Sequence, residues 1–335
     1  MKEKIKAIVF GCGVMGRQVA RVLLDKESFE VVGAIDIDPE LIGWDLGDIL
    51  GIRKKLNLKI EKEPEVLFSK VKADAVVHTT TSYLEIVLPQ ITQCLKARLN
   101  VISTCEELSY PWKRHPEIAK NIDKLAKEKG VTVVGTGINP GFLMDTLPLM
   151  LTAPCLDVKS VKVTRMMNSA KRRIPFQEKV GTGLTQKEFR QKIEDKSITG
   201  HVGLLESIYT IANGLGWELD GAIELPPEPV TGEKEIETGL GAVKPGNVIG
   251  LTSVAYGQLK GKEVIRLEFC ANAGVDEEYD EVIIEGEPNI HQKIIGGVHG
   301  DIGTVAVTIN TIPRIIEAPP GLLLMKDLSL PSLAL

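Results

Sequence analysis

The sequence predicts an α/β protein: a doubly wound, mostly parallel sheet, then a second, α+β domain built on a mostly antiparallel sheet. Three observations carry this. Over the first 135 or so residues, short β-branched runs alternate with longer amphipathic ones. A glycine-rich turn, GCGVMG, joins the first run to the first amphipathic stretch. After Phe142 the runs lengthen and alternate apolar with polar residues, the pattern of a sheet with one face in water.

Taken in order, Ile5–Phe10, Val31–Ile35, Ala75–Val77, Val101–Ser103 and Val131–Val134 read as buried strands. Between them, Arg17–Leu24, Leu84–Leu95 and Ile118–Lys127 repeat apolar residues at helical spacing. Right-handed crossovers then place helices on both faces of the sheet. GTGINPGF (135–142) is a glycine- and proline-rich turn leaving the last of these strands. Beyond it, Val158–Met167, Val264–Ala271 and Glu281–Glu285 read as strands, and Lys187–Glu194 and Leu204–Ala212 as helices. LPPEPVTG (225–232) is a loop or extended segment. The β-branched tail suits helix or strand; the reading adopted is a helix at Ile302–Ile315, with Asp301 as its N-cap, packing back on the first domain. Residues 1–140 with about 300–335 are therefore expected to form one domain, and 141–299 a substrate-binding and dimerisation domain.

A chain of 335 residues, 43% hydrophobic and 25% charged, can bury two cores. Its net charge of −5 and 4% aromatic content exclude a nucleic-acid footprint, which needs a basic surface with stacking side chains. Five scattered cysteines without a CxxC or histidine cluster predict no disulfide framework and no metal site. No stretch approaches the ~20 apolar residues of a membrane span, and the N-terminus carries no signal-peptide core. The expectation is a cytoplasmic homodimer acting on a small molecule.

In the glycine turn, Gly11, Gly13 and Gly16 make a GxGxxG between strand and helix, with Cys12, Val14 and Met15 in the intervening positions. The first glycine allows a tight turn, the second a close approach of backbone to pyrophosphate, the third tight helix–strand packing. This is the Rossmann-type dinucleotide fingerprint. Asp36, twenty residues beyond Gly16, is placed to bind the adenosine ribose and to repel a 2′-phosphate, which favours NAD while leaving NADP possible. Thr79, Thr80 and Thr81 end a later strand, where they either line the nicotinamide side or, at Thr81 or Ser82, cap the next helix. His78, on an apolar strand, reads as a packed histidine.

STCEELSYP (103–111), GTGINPGFLMDTLP (135–148), RMMNSAKRRIPFQEKVGTGLT (165–185), GHVGLLES (200–207) and the tail GDIGTVAVTINTIPRIIEAPPGL together resemble the 2,4-diaminopentanoate dehydrogenases, a group related to dihydrodipicolinate reductase that includes amine dehydrogenases. The similarity spans the whole chain. It implies NAD(P)-dependent oxidative deamination of 2,4-diaminopentanoate to 2-amino-4-oxopentanoate and ammonia, in cytoplasmic amino-acid fermentation, typically of ornithine. Alternatives are another amine dehydrogenase or a reductase of cyclic imines. A non-enzymatic alternative is an NAD(H)-sensing protein, which would need the glycine loop but not the glutamates.

Hydride can leave the carbon only when its amine is neutral, so a carboxylate is expected near the nicotinamide. Glu106 and Glu107 follow the strand Val101–Ser103, and the resemblance assigns a glutamate here to that work. Adjacent helical residues point about 100° apart, so one can be catalytic while the other merely starts an acidic first turn. Glu106 is preferred by a narrow margin. The substrate's own carboxylate calls for a cationic clamp, and Arg172 or Arg173 in SAKRRIPFQEKVG could form it, although a run of bases also suits a solvated face. His201, between glycines, could orient substrate or start a helix on the surface. Asn139 could touch the nicotinamide carboxamide or serve as a hinge.

Overall fold

Runs short enough to be covered on both faces become parallel strands. The computed structural model describes residues 3–53 and 55–334. In chain order it begins with β1 (Ile5–Phe10), α1 (Val14–Asp25), β2 (Phe29–Ile35), α2 (Leu46–Ile49), β3 (Ile60–Glu61), α3 (Pro64–Lys70), β4 (Ala75–His78), α4 (Leu84–Lys96), β5 (Asn100–Ser103), α5 (Pro111–Arg114), α6 (Pro116–Lys129) and β6 (Thr132–Gly135). There follow α7 (Thr146–Leu151), β7 (Asp157–Asn168), α8 (Ile174–Lys179), α9 (Gln186–Glu194), α10 (Leu204–Gly214), β8 (Gly221–Glu224), β9 (Glu228–Thr231), β10 (Ile236–Thr238) and β11 (Gly241–Val243). The chain closes with β12 (Val248–Leu259), β13 (Lys262–Asn272), β14 (Tyr279–Glu287), β15 (Ile290–Ile295), α11 (Gly300–Glu317) and β16 (Gly321–Leu323). Two compact units result, Met1–Phe142 with Gly300–Leu335, and Leu143–His299.

The first unit is a parallel sheet in the order β3-β2-β1-β4-β5-β6-β16. The order reverses between β1 and β4, the position where ligands bind in open sheets of this kind. Alternation along the strands sends side chains to two cores. Val9, Val77, Ile102 and Val134 pack with Val19, Ala20 and Leu23 of α1 and with Val305, Ile309, Ile312 and Ile315 of α11. Ile8, Val76, Val101 and Val133 pack with Val87 and Ile91 of α4 and Ala119, Ile122 and Ala126 of α6. The β-branched tail is thus a helix because its apolar residues fall at helical spacing against a core, a gain that outweighs weak intrinsic propensity. Asp301 is a correction: α11 starts at Gly300, so Asp301 sits inside the first turn rather than capping it.

In the second unit the sheet runs β15-β14-β7-β13-β12-β8, with β9 also paired to β12. Its pairs are antiparallel except β7 with β13 at the centre, which makes the sheet mixed. Helix α10 buries Leu204, Ser207, Ile208 and Ile211 on one stripe. It packs close to β12, where a Cβ on Gly257 would come within 3.0 Å of Ile208. The segment 225–232 is extended, as β9, beside β12.

Candidate active site

The turn after β1 is built for close contacts on one side and open space on the other. A Cβ on Gly16 would lie 1.7 Å from the Gly11 carbonyl oxygen, and one on Gly11 2.7 Å from the Thr79 oxygen. At Gly13, the N-cap of α1, a Cβ would meet nothing within 4 Å. Helix α1 has no side-chain cap and no acidic residue in its first turn, so its N-terminal amides and dipole are available to an anion. Residue 12 is held from both ends: its N–H donates to Asp36 Oδ2 at 2.5 Å, and its carbonyl accepts from Arg17 Nε at 2.7 Å. Asp36 Oδ1 accepts from the Asp38 amide at 2.9 Å, so the carboxylate is fixed by two backbone donors. Val14 is exposed and Met15 half-buried beside it. These residues fit a dinucleotide: Gly11, Gly13 and Gly16 with the intervening backbone would cradle pyrophosphate, and Asp36 would meet the ribose.

Phe10, His78, Ser103 and Gly135 share one register row across four strands. The residues one position further on repeat the pattern, as Thr79, Thr104 and Thr136 donate their amides to Phe10, His78 and Ser103 respectively. Thr79 Oγ1 donates to the Gly11 carbonyl at 2.8 Å, tying the two loops of the switch point together. Thr80 Oγ1 bonds Gln90 Oε1 at 3.0 Å, and Thr81 is half-buried before α4. Neither Thr81 nor Ser82 caps α4; its N-cap is Tyr83, without a side-chain bond. His78 is fully buried, with Nδ1 2.9 Å from Ser103 Oγ and Nε2 2.7 Å from Gln90 Oε1. Burial pushes its pKa down to about 4, so it is a neutral packed ring.

Glu106–Ser109 form a single 3-10 turn at the end of β5. The turn lies directly on β6, where a Cβ on Gly135 would be 2.5 Å from the Leu108 carbonyl carbon. Its two glutamates are not equivalent. Glu107 is buried; Oε2 accepts from the Leu84 amide at 2.8 Å and from His115 Nε2 at 3.1 Å, and Oε1 from Arg114 Nη1 at 2.8 Å. It closes the start of α4 from 23 residues away. Glu106 opens the turn, half-buried, and its carbonyl accepts from Ser109 Oγ at 2.7 Å. Burial, reinforced by neighbouring carboxylates, pushes the Cys12 and Cys105 thiols up to about 12, which leaves both protonated and unreactive.

Within the second unit, Arg172 lies 4.6 Å over the Phe176 ring, with Nη1 3.7 Å from Met167 Sδ, whereas Arg173 is exposed at the N-cap of α8. His201 is half-buried and stacks on Phe269 at 4.3 Å with the planes 11° apart. Burial, then the charges of Lys179 and Arg165, push its pKa down to about 3. Asn139, buried, precedes a cis peptide bond to Pro140 at the end of the first unit. Sequence reasoning missed Arg165, which is 2% exposed, pairs with Asp280 at 3.5 Å and donates to the Val298 carbonyl. An arginine in an apolar strand run was the available signal. Arg17, Arg114 and His115 offered none. An 810 Å³ cavity of the first unit, between Gly33, Trp44 and Leu67, includes none of the predicted site residues.

Residues 142–335 match the family model for the 2,4-diaminopentanoate dehydrogenase C-terminal domain, and residues 5–134 that for the dihydrodipicolinate reductase N-terminus. The chain is 36% identical to a 2,4-diaminopentanoate dehydrogenase of Acetoanaerobium sticklandii over 98% of its own length and 94% of the relative's. It is 22% identical to an amine dehydrogenase of Streptomyces virginiae, covering 97% of this chain and 96% of that one. Among solved structures, an amine dehydrogenase from Mycobacterium smegmatis superposes with a TM-score of 0.86 at 26% identity, covering 99% of this chain and 98% of the other. A dihydrodipicolinate reductase from Paenisporosarcina shares the fold, with a TM-score of 0.51 at 15% identity over 95% and 96% of the two chains.

Proposed function

Because the chain belongs to the 2,4-diaminopentanoate dehydrogenase family, we propose that it oxidises the C4 amine of 2,4-diaminopentanoate, with Glu106 as the base. The protein is an NAD(P)-dependent oxidoreductase of amines. The observation that carries the assignment of the base is the division of labour in the 3-10 turn: both oxygens of Glu107 are committed to Leu84, Arg114 and His115. A carboxylate so held is a strut, which argues against Glu107 as the base and directs the proposal to Glu106.

Glu106 takes a proton from the substrate ammonium, restoring the lone pair that expels hydride from the adjacent carbon. When bound, the nicotinamide supplies the hydride acceptor. Glu106 hands that proton to solvent, then takes one from the water that adds to the iminium carbon and returns it to the nitrogen of the resulting carbinolamine; ammonia leaves as the carboxylate takes the hydroxyl proton and the ketone forms. Arg172 is proposed to hold the substrate carboxylate, its planar guanidinium oriented by Phe176. His201, neutral, would serve as a hydrogen-bond partner rather than as a charge. Arg173 and Asn139 take lesser parts, as a rim cation and a turn that shapes the loop after β6. Asp36, fixed by two amides, favours NAD over NADP. The reading extends, on the family resemblance, to a cytoplasmic homodimer serving ornithine fermentation.

The test is a panel of diamino acids, 2,4-diaminopentanoate among them, scored by the absorbance of reduced NAD and reduced NADP in parallel. Turnover highest with 2,4-diaminopentanoate is expected. Tight NADH binding with no turnover of any amine would return the protein to the cofactor-sensing reading.

A further inference from the structure

We propose that the second unit carries a binding site for a tetrahedral oxyanion, free phosphate or a phosphate ester, in a cavity between α8 and α9. The cavity has a volume of 480 Å³, and its wall includes Lys179, Lys192, Thr182, Ser197, Thr199 and Glu178. That volume suits a small-molecule ligand. Two lysines against one glutamate leave the wall with a net positive charge.

The local chain is shaped to make this space. Gly181 and Gly183 take left-handed φ values of 78° and 90° on either side of Thr182. The Gly183 amide donates to the Val248 carbonyl, and the Val248 amide to the Leu184 carbonyl, so the turn is fastened to the start of β12. Opposite it, α9 is opened by a Thr185–Glu188 capping box. After α9 the chain turns back, with the Ile198 amide donating to the Lys192 carbonyl and the Ser197 amide to Asp195 Oδ1. Ser197 and Thr199 thereby line the same cavity as Thr182.

Three features point to an anion. Neither Lys179 nor Lys192 has an ion-pair or hydrogen-bond partner for its ammonium among the described residues, although Lys192 acts at longer range on Glu188 and Asp195. Thr182 is only 6% exposed, yet its hydroxyl has no hydrogen-bond partner. A buried hydroxyl left unsatisfied costs about 1–3 kcal/mol, so a ligand that accepts from it recovers that loss. The donors are also of one kind. Lysine ammoniums and hydroxyls are point donors that can surround a tetrahedral group, whereas a planar carboxylate is matched by the fork of an arginine. Arg172 has that fork and is absent from this wall.

The site is tested with the full-length protein, without amine or cofactor, so that the result does not depend on the proposed dehydrogenase activity. Inorganic phosphate is titrated against thermal unfolding and calorimetry, with chloride at matched ionic strength and acetate as separate arms. Phosphate should bind saturably and raise Tm beyond the chloride arm, and acetate should bind more weakly. K179Q/K192Q should weaken phosphate binding at least about tenfold, the loss of two direct charge contacts. T182V should weaken it several-fold while leaving the protein folded, and R172Q should leave it unchanged. Because Lys179 helps hold the His201 pKa down, bound phosphate should move the His201 titration upward by NMR. Phosphate indistinguishable from chloride, or unchanged binding in K179Q/K192Q, overturns the site. Acetate binding as tightly as phosphate through the same lysines overturns its assignment to tetrahedral anions.

Discussion

The carboxyl edge of the parallel sheet and the β7–α8 region of the second unit both gather polar groups, but they hold them by different means. At the sheet edge the framework is backbone: strand ends in register, threonine amides bonded to the preceding row, and glycines where chains touch. In the second unit the framework is side chain. Arg165 is paired with Asp280, Gln177 ties the Ala170 and Arg172 carbonyls and the Gly239 amide, and Glu278 accepts from the Asn168 amide. A site held by backbone tolerates loss of a reactive side chain and keeps its shape. A site held by side chains fails as a structure when one of them is removed.

Glu106→Gln is the largest test of the first half of that contrast. Turnover should fall by about 10²–10⁴-fold while folding free energy changes by less than about 1 kcal/mol. Steady-state rates alongside urea melts give both numbers, and equal damage to both would erase the contrast. Arg165→Met tests the second half. Stranding Asp280 without its partner should cost about 3–5 kcal/mol of stability, read as a lowered denaturation midpoint. Burial already drives the Arg165 pKa down and the Asp280 pKa up, the signature of a pair that water does not support.

Glu107 sharpens the comparison, because it is a side-chain strut inside the backbone-held region. Glu107→Gln should behave like the second unit and cost about 2–3 kcal/mol, less than a wholly buried pair because Arg114 is 38% exposed. Its rate loss should track the fraction unfolded, and full stability with abolished turnover would make Glu107 the base instead. The last comparison concerns pH. His78 is neutral in the fold with a pKa near 4, against 6.5 when unfolded. Between those values the unfolded chain binds more protons, so stability is full above about pH 6.5 and falls as pH drops toward 4, by at most about 3 kcal/mol. His78→Gln should flatten this stretch of the stability curve, and an unchanged slope would place the acid sensitivity in other groups.

The same contrast decides what was legible in the sequence. The five central strands of the parallel sheet and the glycine turn follow from period and local punctuation, which a reader can count along the chain, whereas the edge strands β3 and β16 are too short to show a period. The tail helix was only half legible, because its β-branched residues suit helix or strand, and what decides is the core that Val305, Ile309, Ile312 and Ile315 pack against. The parallel pairing of β7 with β13 was not legible, since it depends on how a chain returns after some hundred residues. Nor could the two glutamates be told apart: Glu107 is defined by Leu84, Arg114 and His115, and no spacing rule connects those four positions. In the second unit Arg172 and His201 were visible as residue types, but the stacking of one on Phe176 and the other on Phe269 is a tertiary fact.

One of those contacts bears on how the chemistry could be moved elsewhere. Since the Glu107 carboxylate seals the first turn of α4, and Ser82 accepts from the Glu107 amide, the loop bearing Thr79–Thr81 and the turn bearing Glu106 form a single interlocked part. Transplanting the base into another scaffold therefore means carrying the head of α4, the 3-10 turn, Arg114 and His115 as one cassette. A graft of CEELS alone would deliver the carboxylate without the bolt that aims it.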